Sequence, residues 1–134
     1  MFRYQSLEAW KRAHAAALLV LRTTDEPNHP RVRPVFDQLR RAAISVEANI
    51  VEGYALGTTA LYQRHLRIAM GSAAEAECLV RLAREVDYLH ADAARAIDET
   101  LSGAMRALHG LIRRAAAPRG QPAPARPTPH SPRR

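Results

Sequence analysis

A single cysteine, Cys78, stands in 134 residues, so no internal disulfide can form and no cysteine-based zinc finger can be built. Aromatic residues make up only 5% of the chain although 47% of it is hydrophobic. The apolar part is therefore mostly Ala and Leu, with few of the bulky aromatic and β-branched residues that strands favour, which argues against a sheet. Proline is missing from residue 35 to residue 117, a run of 83 positions without the strongest helix breaker. No stretch approaches the roughly eighteen apolar residues of a membrane span, and the opening MFRYQSLEAWKRA lacks the unbroken apolar core of a secretory signal. A reducing compartment, the cytoplasm, is the expected address, and no membrane is expected as a partner.

What is present is length for one domain with one core, and a formal charge of +7 that is unevenly placed. Residues 118–134 (PRGQPAPARPTPHSPRR) hold Arg119, Arg126, Arg133 and Arg134 with no acid, so +4 belongs to the tail and +3 to the remaining 117 residues. A basic tail is a weaker sign of nucleic acid than a basic body. The tail also holds six of the nine prolines and almost no apolar bulk, a composition that predicts disorder.

Residues 1–117 read as four helices, at about 6–23, 34–54, 59–88 and 92–116. The first repeats apolar groups at Leu7, Trp10, His14, Ala17 and Leu21, with Leu18 alongside and Ser6 as its cap. Pro34 suits the first turn of the second, whose stripe is Phe36, Leu39, Ala43, Val46, Ile50 and Tyr54. Thr58 or Thr59 caps the third, with Tyr62, Leu66, Ala69, Ala73, Ala76, Val80 and Ala83 on one side. Asp92 caps the fourth, whose Ala94, Ile97, Leu101, Ala104, Leu108, Leu111 and Ala115 alternate steps of three and four. Short connections and shallow crossings make this an all-α, antiparallel up-down-up-down four-helix bundle.

The third helix has more apolar surface than one bundle uses. A second set, Leu61, His65, Ile68, Ser72, Leu79, Leu82, Val86 and Leu89, lies beside the first, and Ile44 and Val51 sit off the main stripe of the second helix. Each buried Leu is worth roughly 2 kcal/mol, so a further partner is the expected resolution. The chain is therefore expected to assemble with copies of itself through Ile44, Val51, Leu61, Ile68, Leu79 and Leu82. Gln38, Arg41, Ser45, Asn49 and Glu52 fall at steps of three and four on one ridge of the second helix, and with Glu75 they read as a hydrogen-bonded seam that fixes how helices or subunits meet. The same ridge read functionally is a polar site with Arg41 and Glu52 as binding groups.

Two segments carry a resemblance. QLRRAAISVEANIVEGYA at 38–55 and YQRHLRIAMGSAAEAE at 62–77, with YQSLEAWKRAHAAALLV at 4–20 before them, resemble the bacterial 23S rRNA intervening-sequence protein family, whose relatives include the accessory variability determinant of diversity-generating retroelements. The matching positions are Leu7, Trp10 and Ala13, then Arg41, Ala42, Ser45, Asn49, Ile50, Glu52 and Gly53, then Leu66, Ala69, Gly71, Ser72 and Glu75. The resemblance implies a four-helix bundle in a ring-like homopentamer, associated in some relatives with a reverse transcriptase and nucleic acid, and it brings no catalytic residue. Glu47 stands where the family usually has proline, so a mid-helix kink should be weaker. Leu56 and Gly57 replace frequent arginines, and Leu61 replaces a frequent acid.

Catalytic patterns are wanting. The one Glu-x-x-His spacing of a di-iron bundle is Glu26 to His29, in a segment with two prolines, and His14 and His65 lie on apolar faces, so no metal and no cofactor are expected. Cys78 has carboxylates at Glu75 and Glu77 and no flanking histidine, the reverse of an activated thiolate. No Gly-rich phosphate loop, Ser-His-Asp order or HExxH occurs. For RNA or DNA, Arg64, Arg67, Arg81 and Arg84 read as one face of the third helix, with Arg40 and Arg41 on the second and Arg113 and Arg114 leading into the tail. Glu77, Glu85 and Asp87 lie near enough to neutralise some of them. The expectation is a non-enzymatic, self-assembling binding or scaffold module for RNA or a nucleoprotein. The alternative is a protein adaptor, such as a reverse-transcriptase accessory protein, that does not touch nucleic acid.

Overall fold

The computed structural model describes residues 3–27 and 29–116, so the expectation for the tail at 118–134 lies outside the described residues. A 3₁₀ turn at Arg3–Ser6 precedes α1 (Glu8–Thr23), and a second at Pro30–Val32 leads into α2 (Arg33–Leu56), followed by α3 (Thr59–Glu85) and α4 (Ala91–Ala116). Each helix packs on the next and α4 returns to α1, leaving a four-cornered bundle. Side chains on α2 and α3 pair as Gln38 with Glu75, Ser45 with Ser72 and Asn49 with His65, so the two helices run antiparallel.

The helix ends follow local chemistry. Pro34 sits in the first turn of α2, and Gly57, at φ 74°, closes it in the left-handed region that glycine reaches freely. The Thr58 hydroxyl accepts from the Leu61 N–H and caps α3. The α3 helix stops three residues before the expected Tyr88, because Asp87 adopts φ 61° and the Tyr88 N–H bonds back to the Ala83 carbonyl at 2.7 Å. That reversal carries Leu89 under the bundle, where it is buried rather than on an outer stripe. Ser6 donates to the Arg3 carbonyl and does not cap α1, which begins after Leu7 without a side-chain cap. Asp92 lies inside the first turn of α4, not ahead of it. The α2 helix runs unbroken through Glu47.

The apolar stripes expected on α2, α3 and α4 form the core, with Leu39, Ile50, Leu66, Ile97, Leu101 and Leu108 fully enclosed. The α1 stripe is shifted from the expected one. Its buried face is Ala9, Ala13, Ala16, Ala17 and Val20, while Trp10 and His14 are half-buried and Leu21 is exposed. Alanines at the contact let α1 approach its neighbours closely, and the larger side chains move to the rim.

Candidate functional site

The ridge on α2 meets α3 in a polar seam of two hydrogen-bonded groups. Gln38 Nε2 donates to Glu75 Oε1 at 2.5 Å, and Gln38 Oε1 accepts from Arg41 Nη2 at 3.0 Å. Further along, the Ser45 and Ser72 hydroxyls lie 2.8 Å apart, Asn49 Nδ2 donates to Ser45 Oγ at 3.0 Å, and Asn49 Oδ1 is 3.0 Å from His65 Nδ1. Glu52 Oε2 ends the series 3.9 Å from His65. His65 and Ser72, expected only as members of an apolar set, are seam members; their position facing α2 at steps of seven is the sequence signal for it.

Those two residues also belong to a stripe on α3 that alternates steps of four and three: Leu61, His65, Ile68, Ser72, Glu75, Leu79, Leu82 and Val86. Its polar members are already paired with α2, whereas its apolar members are left facing out. Leu61 is 37%, Ile68 41%, Leu82 47% and Val86 48% exposed, and Ile44 of α2 is 44% exposed. Leu79 and Val51 are only half-buried against the subunit. In mid-helix at the same level sits Gly71, exposed, with open space around the position of a Cβ.

The arginines do not share one face. Arg64 and Arg67 line a shallow outer recess with Ala60 and Ile68. Arg81 and Arg84 turn instead toward α4, and Arg84 lines a groove of about 480 Å³ with Arg95, Asp98, Ser102 and Arg106. The reason is helical geometry: Arg81 and Arg84 each follow Arg64 and Arg67 by seventeen residues, about 4.7 turns at 3.6 per turn, and the shortfall of about 100° from five turns carries the later pair around to α4. Arg40 is bound into the fold. Its Nε donates to Thr24 Oγ1 at 2.8 Å, its Nη1 pairs with Asp37 at 2.9 Å, and its Nη2 donates to the Thr24 carbonyl.

Charge is sorted along the bundle axis instead. The half containing the α2–α3 turn (residues 3–15, 45–72 and 104–116) carries eight basic and three acidic side chains, and the other half (16–44 and 73–103) carries eight and ten. The three acids of the basic half are each beside a cation or imidazole: Glu8 with Arg12 at 3.0 Å, Glu47 with His14 at 2.8 Å, and Glu52 with His65 at 3.9 Å. Arg64, Arg67, Arg106, Arg113 and Arg114 have no ion-pair partner among the described residues and are exposed.

Two polar groupings were not foreseen. His14 stacks on Trp10 with ring centres 4.7 Å apart, Tyr4 meets Trp10 edge-on, and Glu47 holds His14 across the α1–α2 groove. This is a carboxylate–imidazole pair with no Ser, Thr or Cys hydrogen-bonded to it among the described residues. Asp98 presents a buried Oδ1 with no hydrogen-bond partner among the described residues. Desolvation pushes its carboxyl up from the usual range and Glu77 adds to this, while Arg81 and Arg84 oppose it. No cluster of three or more His, Cys, Asp or Glu able to hold a metal occurs among the described residues, and no described helix is long and apolar enough to cross a membrane.

No curated protein matches the chain. A crystal structure of a protein of unknown function from the S23 ribosomal protein family, from Bacteroides thetaiotaomicron VPI-5482, has the same fold, with a TM-score of 0.67 at 19% identity over 78% of this chain and 95% of that one. The profile of the 23S rRNA-intervening sequence protein family matches residues 5–110, from before α1 to within α4, and the chain belongs to that family.

Proposed function

We propose that the protein is a non-enzymatic, homo-oligomeric binding or scaffold module of the cytoplasm that engages RNA or a nucleoprotein. The observation that carries the reading is the outer face of α2 and α3. Its polar members are satisfied inside the subunit, so what remains for a neighbour is apolar: Ile44, Leu61, Ile68, Leu82 and Val86. Completing the burial of each is worth roughly 1 kcal/mol. The 3.5-residue spacing is that of a seam between helices, which favours a second copy of this chain as the occupant. Gly71 supports the same occupant. A glycine exposed in mid-helix costs about 1 kcal/mol relative to alanine, a cost offset when a neighbouring helix packs closely against it. A ring of five, as the resemblance implies, would set five copies of every arginine side by side and amplify weak contacts with a polyanion.

Native mass spectrometry at micromolar concentration tests this directly. The expected result is a multiple of the 14.9 kDa chain, reduced to one chain by Ile68→Glu with Leu82→Glu while the helical circular dichroism is kept. A wild-type protein that is folded and single would overturn it. The adaptor reading, with a reverse transcriptase or similar protein on the same apolar face, takes its place if the assembly forms but no RNA or DNA associates with it.

A further inference from the structure

The sorting of charge along the axis narrows where a polyanion meets the protein. We infer that a single-stranded polynucleotide binds at the pole formed by the α2–α3 turn and the end of α4, through Arg64, Arg67, Arg113 and Arg114, with a base received beside Tyr54 and Tyr62. This rests on the nucleic-acid reading above and assigns it one end of the bundle.

Two observations converge there. The first is the imbalance itself, eight basic groups against three acids that all have partners, while the opposite half carries ten acids against eight bases. Phosphates are attracted to the first half and repelled by the second, and the arginines at the pole have no competing carboxylate to displace. The second is a small aromatic cleft at the same end of the bundle, near Arg114 and around α3 from the recess of Arg64 and Arg67. Tyr54 and Tyr62 stand edge-to-face with ring centres 6.2 Å apart, and with Gly53, Gly57, Thr58 and Thr59 they line a recess of about 170 Å³. Burial and the neighbouring Tyr54 push the Tyr62 hydroxyl up from its usual range and Arg114 opposes them, so the ring stays neutral beside a guanidinium. Aromatic rings flanked by cations accept unstacked bases and phosphates together, and a duplex offers no free base to such a recess.

Arg81, Arg84 and Arg40 fall outside the site. The first two face Asp98 in the α3–α4 groove, and the third is held by Thr24 and Asp37.

Fluorescence anisotropy with a labelled single-stranded RNA of mixed sequence, titrated with the full chain, tests the location. Two triple variants remove the same charge: Arg64→Ser/Arg67→Ser/Arg113→Ser at the pole and Arg22→Ser/Arg33→Ser/Arg95→Ser in the opposite half. The pole variant is expected to weaken binding at least about tenfold and to lower the salt-dependence slope by about 2, while the opposite variant changes Kd by less than about threefold. Single-stranded DNA in a parallel titration separates a requirement for the 2′-hydroxyl from phosphate and base contacts alone. Equal weakening by both variants, or a duplex RNA bound as tightly as the single strand, overturns the pole while leaving a nucleic-acid function standing. No binding by the wild-type protein removes the nucleic-acid reading and the pole with it.

Discussion

A methyl group built on Gly53 would stand 2.7 Å from the Cβ of His65 and 3.3 Å from the Tyr62 ring, so α2 and α3 touch there only because position 53 has no side chain. The obstacle is a Cβ fixed to a helix backbone, which cannot swing aside as the tip of a long side chain can. Gly53→Ala gains a little from helix propensity and loses more by forcing the helices apart. The net expectation is a destabilisation of about 1–3 kcal/mol, seen as a lower urea midpoint, with the His65–Asn49 hydrogen bond disturbed.

Gly71 is the opposite case. Nothing lies within 4 Å of the methyl that alanine would add, so Gly71→Ala is expected to stabilise the isolated subunit by about 1 kcal/mol. The same methyl projects from the face on which a second copy is proposed to pack. Sedimentation over a range of concentrations should then show weaker assembly despite the more stable subunit. A variant that is both more stable and more tightly assembled would remove the idea of a close helix approach at that point.

Arg40 joins α2 to the end of α1, where Thr24 is fully buried. Arg40→Ala leaves the Thr24 carbonyl and hydroxyl short of a donor in a place water reaches poorly. The cost expected is about 1–3 kcal/mol in chemical denaturation, with RNA affinity unchanged once folding is allowed for.

Asp98 makes the fold pH-dependent. Its carboxyl is shifted upward from 3.8 by desolvation and by Glu77, against the pull of Arg81 and Arg84, so the folded chain holds this proton more tightly than the unfolded one does. A raised native value means the contribution is fully present below the ordinary carboxylate range and is lost as pH rises through the raised value. The ionised form is the costly one at neutral pH. Asp98→Asn is expected to raise the melting temperature at pH 7, by an amount equivalent to no more than about 1 kcal/mol because the group is partly solvated, and to leave it unchanged at pH 3. An unchanged melting temperature at both pH values would show that the buried Oδ1 finds a donor in solution.

Much of the bundle is legible in the sequence because α2, α3 and α4 each keep one apolar stripe against polar neighbours, and the 3.6-residue period then fixes the inward face. The α1 helix resists that reading. Its largest apolar side chains are not the ones at the contact: Ala9, Ala13 and Ala16 are buried there while Leu21 is exposed. Leu89 was hidden by a turn, since an aspartate at φ 61° at position 87 carries no strong sequence mark. The seam on α2 could be read from its spacing; His65 and Ser72 carry only their seven-residue step as a signal, and which α2 group each one bonds depends on the register of one helix against another. The imbalance of charge is not visible along the linear sequence and follows from the antiparallel order of the helices, which brings residues 3–15, 45–72 and 104–116 to one end.

That imbalance acts at distances where no contact exists. Set near a negatively charged strand, a body with a surplus of cations at one tip and of anions at the other experiences a torque as well as a pull, and it swings into line during approach. Its encounters are therefore vectorial: the tip with Arg64 and Arg113 leads, the tip with Asp92 and Glu99 trails, and added salt should randomise the heading before it abolishes the attraction.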